Sequence, residues 1–544
     1  MNTELCKKKI LVTCALPYAN GSIHIGHLLE HIQADIWVRY HKMRNRKVFF
    51  ICADDTHGTP IMLKAKEMNI FPRVLIKNVL KEHILDFSYF NISHDYYGHT
   101  NSKDNFNFSN KIFLNLKKKK YIVKKKIFQL YDSKKKIFLP DRLVKGSCPK
   151  CKKKNQYGDH CESCGCVYSA SDLLFPKSEL SHSIPVLKES THIFYNLPIF
   201  KNQLKDWICS GVLQKTVENK IKEWFLKGLK KWDISRDSPY FGFKIPGYKN
   251  KYFYVWWDAS ICYISTFKSF LKNKKNISFD EFWKNDSSTD LYHFIGKDII
   301  YFHSLFWPAI LLGMNFRLPT KIFVHGYVTF KKKKMSKSKN KLISARTWLK
   351  HFDSDSLRYY YASQLSSSIK DIEFNTQEFI NRINSNIVNK IVNLASRCSS
   401  FLNINFNGIL SEFLLKKDLY DLFLKKTKKV LHLFQKQEFS SIIRIITKYS
   451  DIANHYINKK VPWKLSKINK NDIKIQLICT MGINLFRFLV TWLKPIMPNL
   501  SNRVESFLRC TLSFHDLKNP LLKHKISIFF HLYKRISNSL INVF

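Results

Sequence analysis

Two apolar runs of strand length with one helical pattern between them occupy the first 55 residues, and this order restricts the possible folds more than any other feature. Residues 9–20 (KILVTCALPYAN) predict a β-strand that ends in a turn, and IHIGHLLEHIQADIWVRYHKM has helical periodicity. KVFFICADD is almost continuously apolar, as in a buried strand of a parallel sheet. This order predicts a βαβ unit, in which ligands bind beyond the carboxyl ends of the strands.

The rest of the chain predicts a split α/β domain with an insertion, followed by a helical region. Lysine runs and short β-like segments begin near residue 118, and apolar α/β character returns at KYFYVWWDASICYISTF and LYHFIGKDIIYFHSLFWPAILLG. Beyond residue 340 the sequence is mostly amphipathic helix. The predicted fold class is therefore α/β: a Rossmann-like parallel sheet, split by the insertion and followed by an all-α bundle. We expect segments at residues 1–117, 118–235, 236–325, 326–385 and 386–544.

Composition excludes one class of protein and leaves one partner open. With 544 residues, 45% of them hydrophobic, the chain can bury several cores, which excludes a mainly disordered protein. Lys+Arg 91 against Asp+Glu 41 gives a formal net charge of +50. Lysine far exceeds arginine, and an A/T-rich genome produces the same bias without selection for binding. The charge therefore permits a nucleic-acid partner without proving one.

The sequence predicts a soluble cytoplasmic protein with no membrane partner. The longest uncharged stretch, residues 299–316, is interrupted by His303, Ser304, Pro308 and Asn315, so we interpret it as a buried helix with its entry strand. The N-terminal residues show no signal-cleavage pattern. Thirteen cysteines without a regular framework argue against a secreted disulfide scaffold.

Four of the cysteines are spaced as two CxxC pairs. Cys148 and Cys151 form the first pair, Cys161 and Cys164 form the second, and nine residues separate the pairs. Four thiolates in this pattern fit a closed tetrahedral site, which predicts one structural Zn²⁺ per subunit. A redox site or a degenerate metal site is the alternative interpretation. Cys166 lies outside the CxxC symmetry and is not included.

Two short motifs lie about 310 residues apart. HIGH, at residues 24–27, falls where the first strand gives way to its helix, so its imidazoles and the helix N-terminus can receive phosphates. The alternative is one capping and one packing histidine. KMSKS, at residues 334–338, follows another apolar strand, and its lysines can neutralise a leaving pyrophosphate. Because residues 331–334 are all lysine, a solvated surface run is the alternative there.

Together the two motifs are the paired signature of class I aminoacyl-tRNA synthetases. ALPYANGSIHIGH, FICADDTHGTPI, YFYVWWDASICY, HFIGKDIIYFHSLFWPA and VHGYVTFKKKKMSKS resemble the methionyl-tRNA synthetase family of the bacterial zinc-containing type, in order along nearly the whole chain. The resemblance implies a ligase that uses ATP, with Mg²⁺, to convert L-methionine to methionyl-adenylate. The methionyl group would then pass to the 3′ end of tRNA(Met), including the initiator tRNA. No appended dimerisation module is recognised, so a monomer is expected.

The resemblance also assigns roles to residues. The implied catalytic residues are His24, His27, Lys334 and Lys337. The implied ATP-binding residues are Tyr18, His24, Gly26, His27, Glu30, Gly296, Asp298 and Lys337. The implied methionine pocket, in which Asp55 pairs with the α-amino group, consists of Leu16, Tyr18, Asp55, Trp256, Ala259, Tyr263, Ile299 and His303.

The helical region contains the expected anticodon readers. Asn393 and Arg397 are spaced i, i+4 on one helix face, and Pro462 and Trp463 lie in a predicted loop. Such side chains can stack on and hydrogen-bond unstacked bases, and the resemblance implies that they read the CAU anticodon. The alternative is that Trp463 is a core residue and Arg397 part of a surface ion pair.

Some positions depart from the family pattern. Ser260 and Cys262 replace a proline and a glycine beside the methionine pocket, which alters backbone stiffness there, and Lys339-Asn340 replaces Arg-Gly after KMSKS. Two other functions stay open at this point. A ligase for isoleucine, valine or leucine shares both motifs but usually carries an editing insertion larger than residues 118–235. The second open function is that of a non-catalytic zinc-ribbon protein that binds tRNA or acts as a chaperone.

Overall fold

The first segment of the chain alternates strands and helices, as the βαβ pattern predicts. The computed structural model describes residues 8–140, 143–158, 161, 163–164, 166, 168–330, 333–334, 342–470 and 472–544. The elements of the first segment are β1 (Ile10–Cys14), α1 (Ile25–Met43), β2 (Val48–Asp54), α2 (Thr59–Glu67), α3 (Pro72–Tyr89), β3 (Tyr96–His99) and α4 (Lys103–Lys118).

The insertion consists of two small antiparallel sheets and two helices. Its elements are β4 (Ile122–Asp132), β5 (Ile137–Phe138), β6 (Val144–Ser147), β7 (Gln156–Tyr157), β8 (Leu174–Ser178), β9 (Val186–Tyr195), α5 (Lys201–Trp207), α6 (Lys215–Leu226), β10 (Trp232–Asp233) and β11 (Ser235–Asp237). One sheet has the order β10-β9-β4-β5, and the other, β7-β6-β8, carries the CxxC pairs. The α/β pattern then resumes with β12 (Lys251–Phe253), α7 (Val255–Leu271), α8 (Phe279–Trp283), β13 (Asp290–Gly296), α9 (Trp307–Met314) and β14 (Lys321–His325).

Strands from both halves of the α/β domain form one parallel sheet, in the order β14-β13-β1-β2-β3. Cys14 of β1 is paired with Phe294 of β13, and Thr13 is paired with Ile51 of β2. The strand order therefore reverses beside β1, and in such sheets the crevice at the reversal binds ligands. The predicted Rossmann-like fold class is confirmed.

After the sheet, the chain becomes mainly helical. A small three-stranded sheet and three helices come first: β15 (Val328–Phe330), β16 (Lys333–Lys334), α10 (Ala345–Leu349), α11 (Ser354–Gln364), β17 (Ile372–Phe374) and α12 (Thr376–Arg382). A π-helical stretch, Ile383–Val392, leads into the bundle. The bundle helices are α13 (Asn393–Phe406), α14 (Lys417–Gln435), α15 (Phe439–Lys460), α16 (Pro462–Ile468), α17 (Ile473–Leu493) and α18 (Pro498–Leu508).

Helix α17 is the one described helix that is long and apolar enough to cross a membrane. However, 83% of its most apolar window is buried inside the protein, which places it in the core of the bundle. The uncharged stretch at residues 299–316 is also mostly buried. It contains a π-helix, Phe302–Phe306, followed by α9, whereas the preceding strand ends at Gly296. The entry strand expected within that stretch is therefore wrong.

A buried arginine joins the α/β domain to the helical region. Arg358 of α11 is fully buried and donates to Asp35 of α1 at 2.7 Å, and to the carbonyl oxygen of Ile496, before α18, at 2.8 Å. Asp35 also accepts a hydrogen bond from Arg39 at 2.7 Å. Burial alone would raise the pKa of Asp35, but the two guanidinium charges hold it well below its usual range.

Candidate active site

The carboxyl ends of the parallel strands open into a cavity of 740 Å³. Every predicted ATP-binding or methionine-binding residue lines it except Lys337, which lies outside the described residues. The other predicted catalytic lysine, Lys334, lies in strand β16. The predicted residues that line the cavity are Leu16, Tyr18, His24, Gly26, His27, Glu30, Asp55, Trp256, Ala259, Tyr263, Gly296, Asp298, Ile299 and His303.

The HIGH residues cap the helix that begins in the cavity. His24 is the N-cap of α1, and its Nδ1 accepts hydrogen bonds from the backbone N–H groups of Gly26 at 3.1 Å and His27 at 3.4 Å. The His24 and His27 rings are stacked with their centroids 3.6 Å apart. Both imidazoles therefore lie at the positive end of the helix, where an anion is favoured.

The position of the His24 ring requires glycine at residue 26. A Cβ atom at Gly26 would lie 2.9 Å from the His24 ring, which is closer than a real contact allows. Gly296 has a similar role in β13, because a Cβ there would lie 2.8 Å from Asp298 Oδ1. In both places the glycine leaves room for a polar side chain to turn back over the backbone toward the cavity.

The segment that follows KMSKS is hydrogen-bonded to HIGH. The N–H of Ile25 donates to the carbonyl oxygen of Ile343 at 3.0 Å, and the N–H of Ala345 donates to that of Ile23 at 2.9 Å. His24 and Ser344 form an antiparallel bridge between these bonds. HIGH and the segment that follows KMSKS, which are separated by most of the α/β domain in sequence, are thus joined by main-chain hydrogen bonds.

Glu30 and His325 connect α1 to the end of β14 across the cavity. Glu30 Oε2 lies 3.2 Å from His325 Nε2, and both residues are buried. Burial alone would lower the pKa of His325, but the hydrogen bond and charge of Glu30 raise it overall. Sequence reasoning missed His325; its place at the carboxyl end of an apolar strand was the available signal.

The methionine pocket predicted on α7 has one apolar face and one neutral polar end. Trp256, Ala259 and Tyr263 are spaced i, i+3, i+7 and so share a face of the helix. Tyr263 OH lies 2.8 Å from His303 Nε2, and His303 Nδ1 lies 3.1 Å from the carbonyl oxygen of Ile299. Burial lowers the pKa of His303 to about 4 and raises that of Tyr263, so both side chains are neutral near pH 7.

The buried Oδ1 atom of Asp55 has no hydrogen-bond partner in the described part of the chain. Among the carboxylates of the described residues that line the cavity, Asp55 is the only one with such an oxygen. Burial, reinforced by the charge of Asp258, raises the pKa of Asp55 well above its usual range. A buried carboxyl oxygen without a partner is costly. The cavity therefore contains a site that a cationic or hydrogen-bond-donating ligand group would stabilise.

The departures at Ser260 and Cys262 leave helix α7 continuous. Ser260 Oγ donates to the carbonyl oxygen of Trp256 at 2.8 Å, within its own helix. Cys262 is fully buried, and its Sγ lies 3.3 Å from the hydroxyl of Thr266. Both polar groups are therefore satisfied locally, and neither interrupts the face that lines the pocket.

The four predicted cysteine ligands come together in the insertion. Their sulfur atoms all lie within 4.8 Å of one another, with Cys148 and Cys164 at 3.7 Å and Cys151 and Cys161 at 3.5 Å. These separations exceed the ~2.05 Å of a disulfide. They match the ~3.8 Å edge of a tetrahedron with Zn–S bonds of ~2.3 Å. The cluster can therefore hold a metal ion such as zinc.

The predicted anticodon residues form a surface cluster with one buried member. The Arg397 guanidinium lies 4.6 Å from the centre of the Trp463 ring and donates to Asn458 Oδ1 at 2.8 Å. Asn393 is exposed near them on α13, whereas Pro462 is buried. Pro462 and Trp463 form the first turn of α16, so the predicted loop is wrong. The left-handed conformation of Val461 (φ 43°) starts the new helix there.

Sequence reasoning missed a second group of residues at the end of the cavity that faces the insertion. The Arg236 guanidinium lies over the Tyr254 ring at 3.8 Å, and Tyr240 OH accepts a hydrogen bond from the N–H of Val255 at 3.1 Å. No motif marks these residues, because they approach the cavity from the short strands around β11. Those lining the cavity are Gln129, Leu139, Pro140, Asp233, Arg236, Tyr240 and Tyr254.

Comparisons with known proteins identify the family. A family model described as "tRNA synthetases class I (M)" matches residues 10–399. Methionine–tRNA ligase of Buchnera aphidicola subsp. Acyrthosiphon pisum (strain Tuc7) is 57% identical over 529 residues, covering 97% of each chain. This chain belongs to the methionine–tRNA ligase family. The enzyme of the same name from Buchnera aphidicola subsp. Schizaphis graminum is 56% identical, over 98% of this chain and 97% of the relative.

A solved structure shares the fold of this methionine–tRNA ligase family member. Mycobacterium tuberculosis methionyl-tRNA synthetase in complex with methionyl-adenylate matches with a TM-score of 0.79 at 21% identity, over 97% of this chain and 100% of the other. At that identity the match concerns the fold. The resemblance stated from HIGH and KMSKS is confirmed, and the chain is a ligase of the aminoacyl-tRNA synthetase class.

Proposed function

We propose that this protein is a methionine–tRNA ligase. It activates L-methionine with ATP to methionyl-adenylate and pyrophosphate, and it transfers the methionyl group to the 3′ end of tRNA(Met), including the initiator tRNA. The observation that carries the proposal is the cavity itself, where Asp55 and an apolar face of α7 meet the HIGH helix terminus. The sequence identity to methionine–tRNA ligases over 97% of the chain supports it.

In this proposal the cavity holds methionine by its two ends. The α-ammonium group pairs with Asp55, whose buried oxygen then gains the partner it lacks. The thioether packs against Trp256, Ala259 and Tyr263, with Leu16, Tyr18 and Ile299 as further walls. His303, held neutral by burial, adds a polar group without a competing charge. A pocket of this kind favours an uncharged side chain of methionine's length.

ATP would lie along the HIGH helix terminus. His24 and His27, with Lys334 and Lys337, stabilise negative charge as pyrophosphate leaves. Asp298 accepts hydrogen bonds from the ribose hydroxyl groups. Gly26 and Gly296 let the nucleotide approach the backbone, and Glu30 and Tyr18 complete the site. Mg²⁺ would accompany the phosphates. The protein's contribution is to hold the methionine carboxylate in line with the α-phosphate, so no covalent enzyme intermediate is needed.

The tRNA would contact the helical region. We propose that Trp463 stacks on an anticodon base and that Arg397 and Asn393 donate hydrogen bonds, with buried Pro462 fixing the turn beneath them. One structural Zn²⁺ per subunit would be held by Cys148, Cys151, Cys161 and Cys164. We further propose a cytoplasmic monomer, in which the net charge of +50 favours encounter with tRNA.

ATP–pyrophosphate exchange with each amino acid in turn tests the proposal. Exchange should depend on methionine, and charging should require tRNA with a CAU anticodon. Lys337→Ala should slow exchange by ~10²–10³, the usual effect of removing one preorganised transition-state charge. Exchange that depends on isoleucine, valine or leucine, or no exchange at all, would contradict the proposed specificity or activity.

A further inference from the structure

Cysteine sulfur and histidine nitrogen atoms form a second cluster beside the cavity, separate from the four-cysteine cluster. His31 of α1 is at the centre, with Cys14 of β1, Cys52 of β2 and His94, which precedes β3, around it. The ligand atoms of His31, Cys52 and His94 lie within 4.8 Å of one another, and so do those of Cys14, Glu30 and His31. Two sets of three donors therefore share one imidazole.

The spacing of the two imidazoles suits a metal ion. His31 Nδ1 and His94 Nε2 are 3.2 Å apart. Two nitrogen atoms bound at ~2.0–2.1 Å in a tetrahedral site are separated by ~3.3–3.4 Å. The distance between the two nitrogen atoms is therefore compatible with a shared ion.

Both imidazoles are held in place before any ligand arrives. The His31 ring lies 4.1 Å from the Phe87 ring, and the His94 ring lies 4.5 Å from that of Phe50. The N–H and hydroxyl of Ser93, next to His94, both donate to Asp35 Oδ1, at 2.9 and 2.7 Å. Metal sites built on rigid elements with supported ligands lose little binding energy to reorganisation.

The site adjoins the cavity. His31 and its neighbour Glu30 line the 740 Å³ cavity, whereas Cys52 is buried behind them. Glu30 bonds to His325 in the structure, but it also belongs to the second set of donors with Cys14 and His31. An ion bound at His31 would therefore compete with His325 for the Glu30 carboxylate.

We propose that His31, Cys52 and His94 form a second metal site, for a thiophilic divalent cation of the Zn²⁺ type, and that its occupancy slows adenylate formation. Two imidazole nitrogens and one thiolate bind the ion, and the Cys52 thiol releases its proton to solvent as the metal–sulfur bond forms. The fourth position stays open to water. A three-ligand site of this kind exchanges its ion more readily than a closed four-thiolate site.

Metal content per chain tests binding independently of activity. The purified holoenzyme, with its four-cysteine cluster intact, is dialysed against Cd²⁺, and total zinc plus cadmium is counted by elemental analysis. We expect two ions per chain in wild type and in the control Cys209→Ser, which removes an exposed thiol outside the cluster. We expect one in His94→Phe and in Cys52→Ser. The phenylalanine variant keeps an aromatic ring beside Phe50 and Phe87, so it should fold.

The activity readout rests on the proposed function, and the ion count does not. Cd²⁺ at the concentration that fills the second site should lower methionine-dependent exchange in wild type. His94→Phe should need at least ~10-fold more Cd²⁺ for the same inhibition, as loss of metal-site support usually gives. A single ion per chain in wild type, or a second ion retained by both variants, would overturn the site. A second ion without inhibition would overturn its effect on adenylate formation.

Discussion

Asp55 has an unfavourable position until a ligand arrives. Its carboxyl group is buried near Asp258, and one of its oxygens has no partner among the described residues that line the cavity. The resulting rise in its pKa means that the unliganded site holds a proton there over a wider pH range than a surface aspartate would. Binding an ammonium group requires that proton to leave, so the residue links substrate affinity to pH.

We predict that Asp55→Asn raises the KM for methionine by ~10–100-fold, because a hydrogen bond to a charged group is worth about 1.5–3 kcal/mol. In wild type, KM should fall as pH rises toward the raised pKa of Asp55, since less free energy is then needed to ionise the carboxyl group. Exchange kinetics over a pH series measure both effects. The exposed Asp280→Asn is the control, and an unchanged pH profile in Asp55→Asn would refute the assignment.

Helix α1 is held by hydrogen bonds at its first turn and by side-chain packing along its length. Its N-cap imidazole accepts hydrogen bonds from two backbone N–H groups. Further along the helix, Tyr40 stacks on Phe434 of α14 with ring centroids 5.1 Å apart. The helical periodicity in the sequence predicted the element. It did not predict which glycine contacts would position the histidines, because those depend on the rotamer of His24.

Gly26→Ala separates helix formation from catalysis. Alanine favours helix over glycine by ~0.8–1.0 kcal/mol, so the variant should unfold at the same temperature as wild type or slightly higher. However, its Cβ would displace the His24 ring, so the kcat of exchange should fall at least ~10-fold. Thermal unfolding and exchange kinetics on the same preparation measure the two effects. Full activity in a well-folded variant would show that the His24 ring position is unimportant.

The start of α16 supports a prediction about the anticodon. Trp463 is half-buried under the Arg397 guanidinium, so Trp463→Ala should lose a stacking contact worth ~1–3 kcal/mol per base. Charging of tRNA should weaken accordingly, while tRNA-independent exchange stays intact. Ile468→Ala, which changes an exposed residue on the same helix, is the matched control. If the Trp463 variant still distinguishes CAU from an altered anticodon as well as wild type does, recognition lies elsewhere.

For the whole molecule, Arg358 provides a buried polar connection between the α/β domain and the helical region. It connects α1, α11 and the segment before α18 in a buried position. Arg358→Ala removes one of the two guanidinium groups that compensate the buried Asp35 charge and leaves only Arg39, so we expect a loss of ~3 kcal/mol in unfolding free energy. The exposed Arg444→Ala should change it by less than ~0.5 kcal/mol. Denaturant unfolding, monitored by exchange activity and by helical content, measures the unfolding free energy. If the unfolding curves of Arg358→Ala and wild type coincide, the prediction is wrong.

The sequence predicted this architecture where local patterns carry the information. Alternating strands and helices gave the parallel sheet, and strand ends gave the position of the cavity, because parallel strands bring their carboxyl ends together. Pairings between distant polar residues were not predictable, since Glu30–His325 and Asp35–Arg358 depend on how whole elements pack. The start of α16 was missed because a left-handed valine gives no local signal. The five segment boundaries and the role of each site residue stay predictions.

The joint between HIGH and the segment after KMSKS consists of backbone atoms: the N–H of Ile25, the carbonyl oxygen of Ile343, and their neighbours Ile23 and Ala345. Every residue type except proline supplies the same N–H and C=O groups. The joint is therefore indifferent to most single-base changes in the gene. A chain whose composition drifts toward lysine, asparagine and isoleucine can keep HIGH joined to the segment after KMSKS, because the hydrogen bonds between them use main-chain atoms.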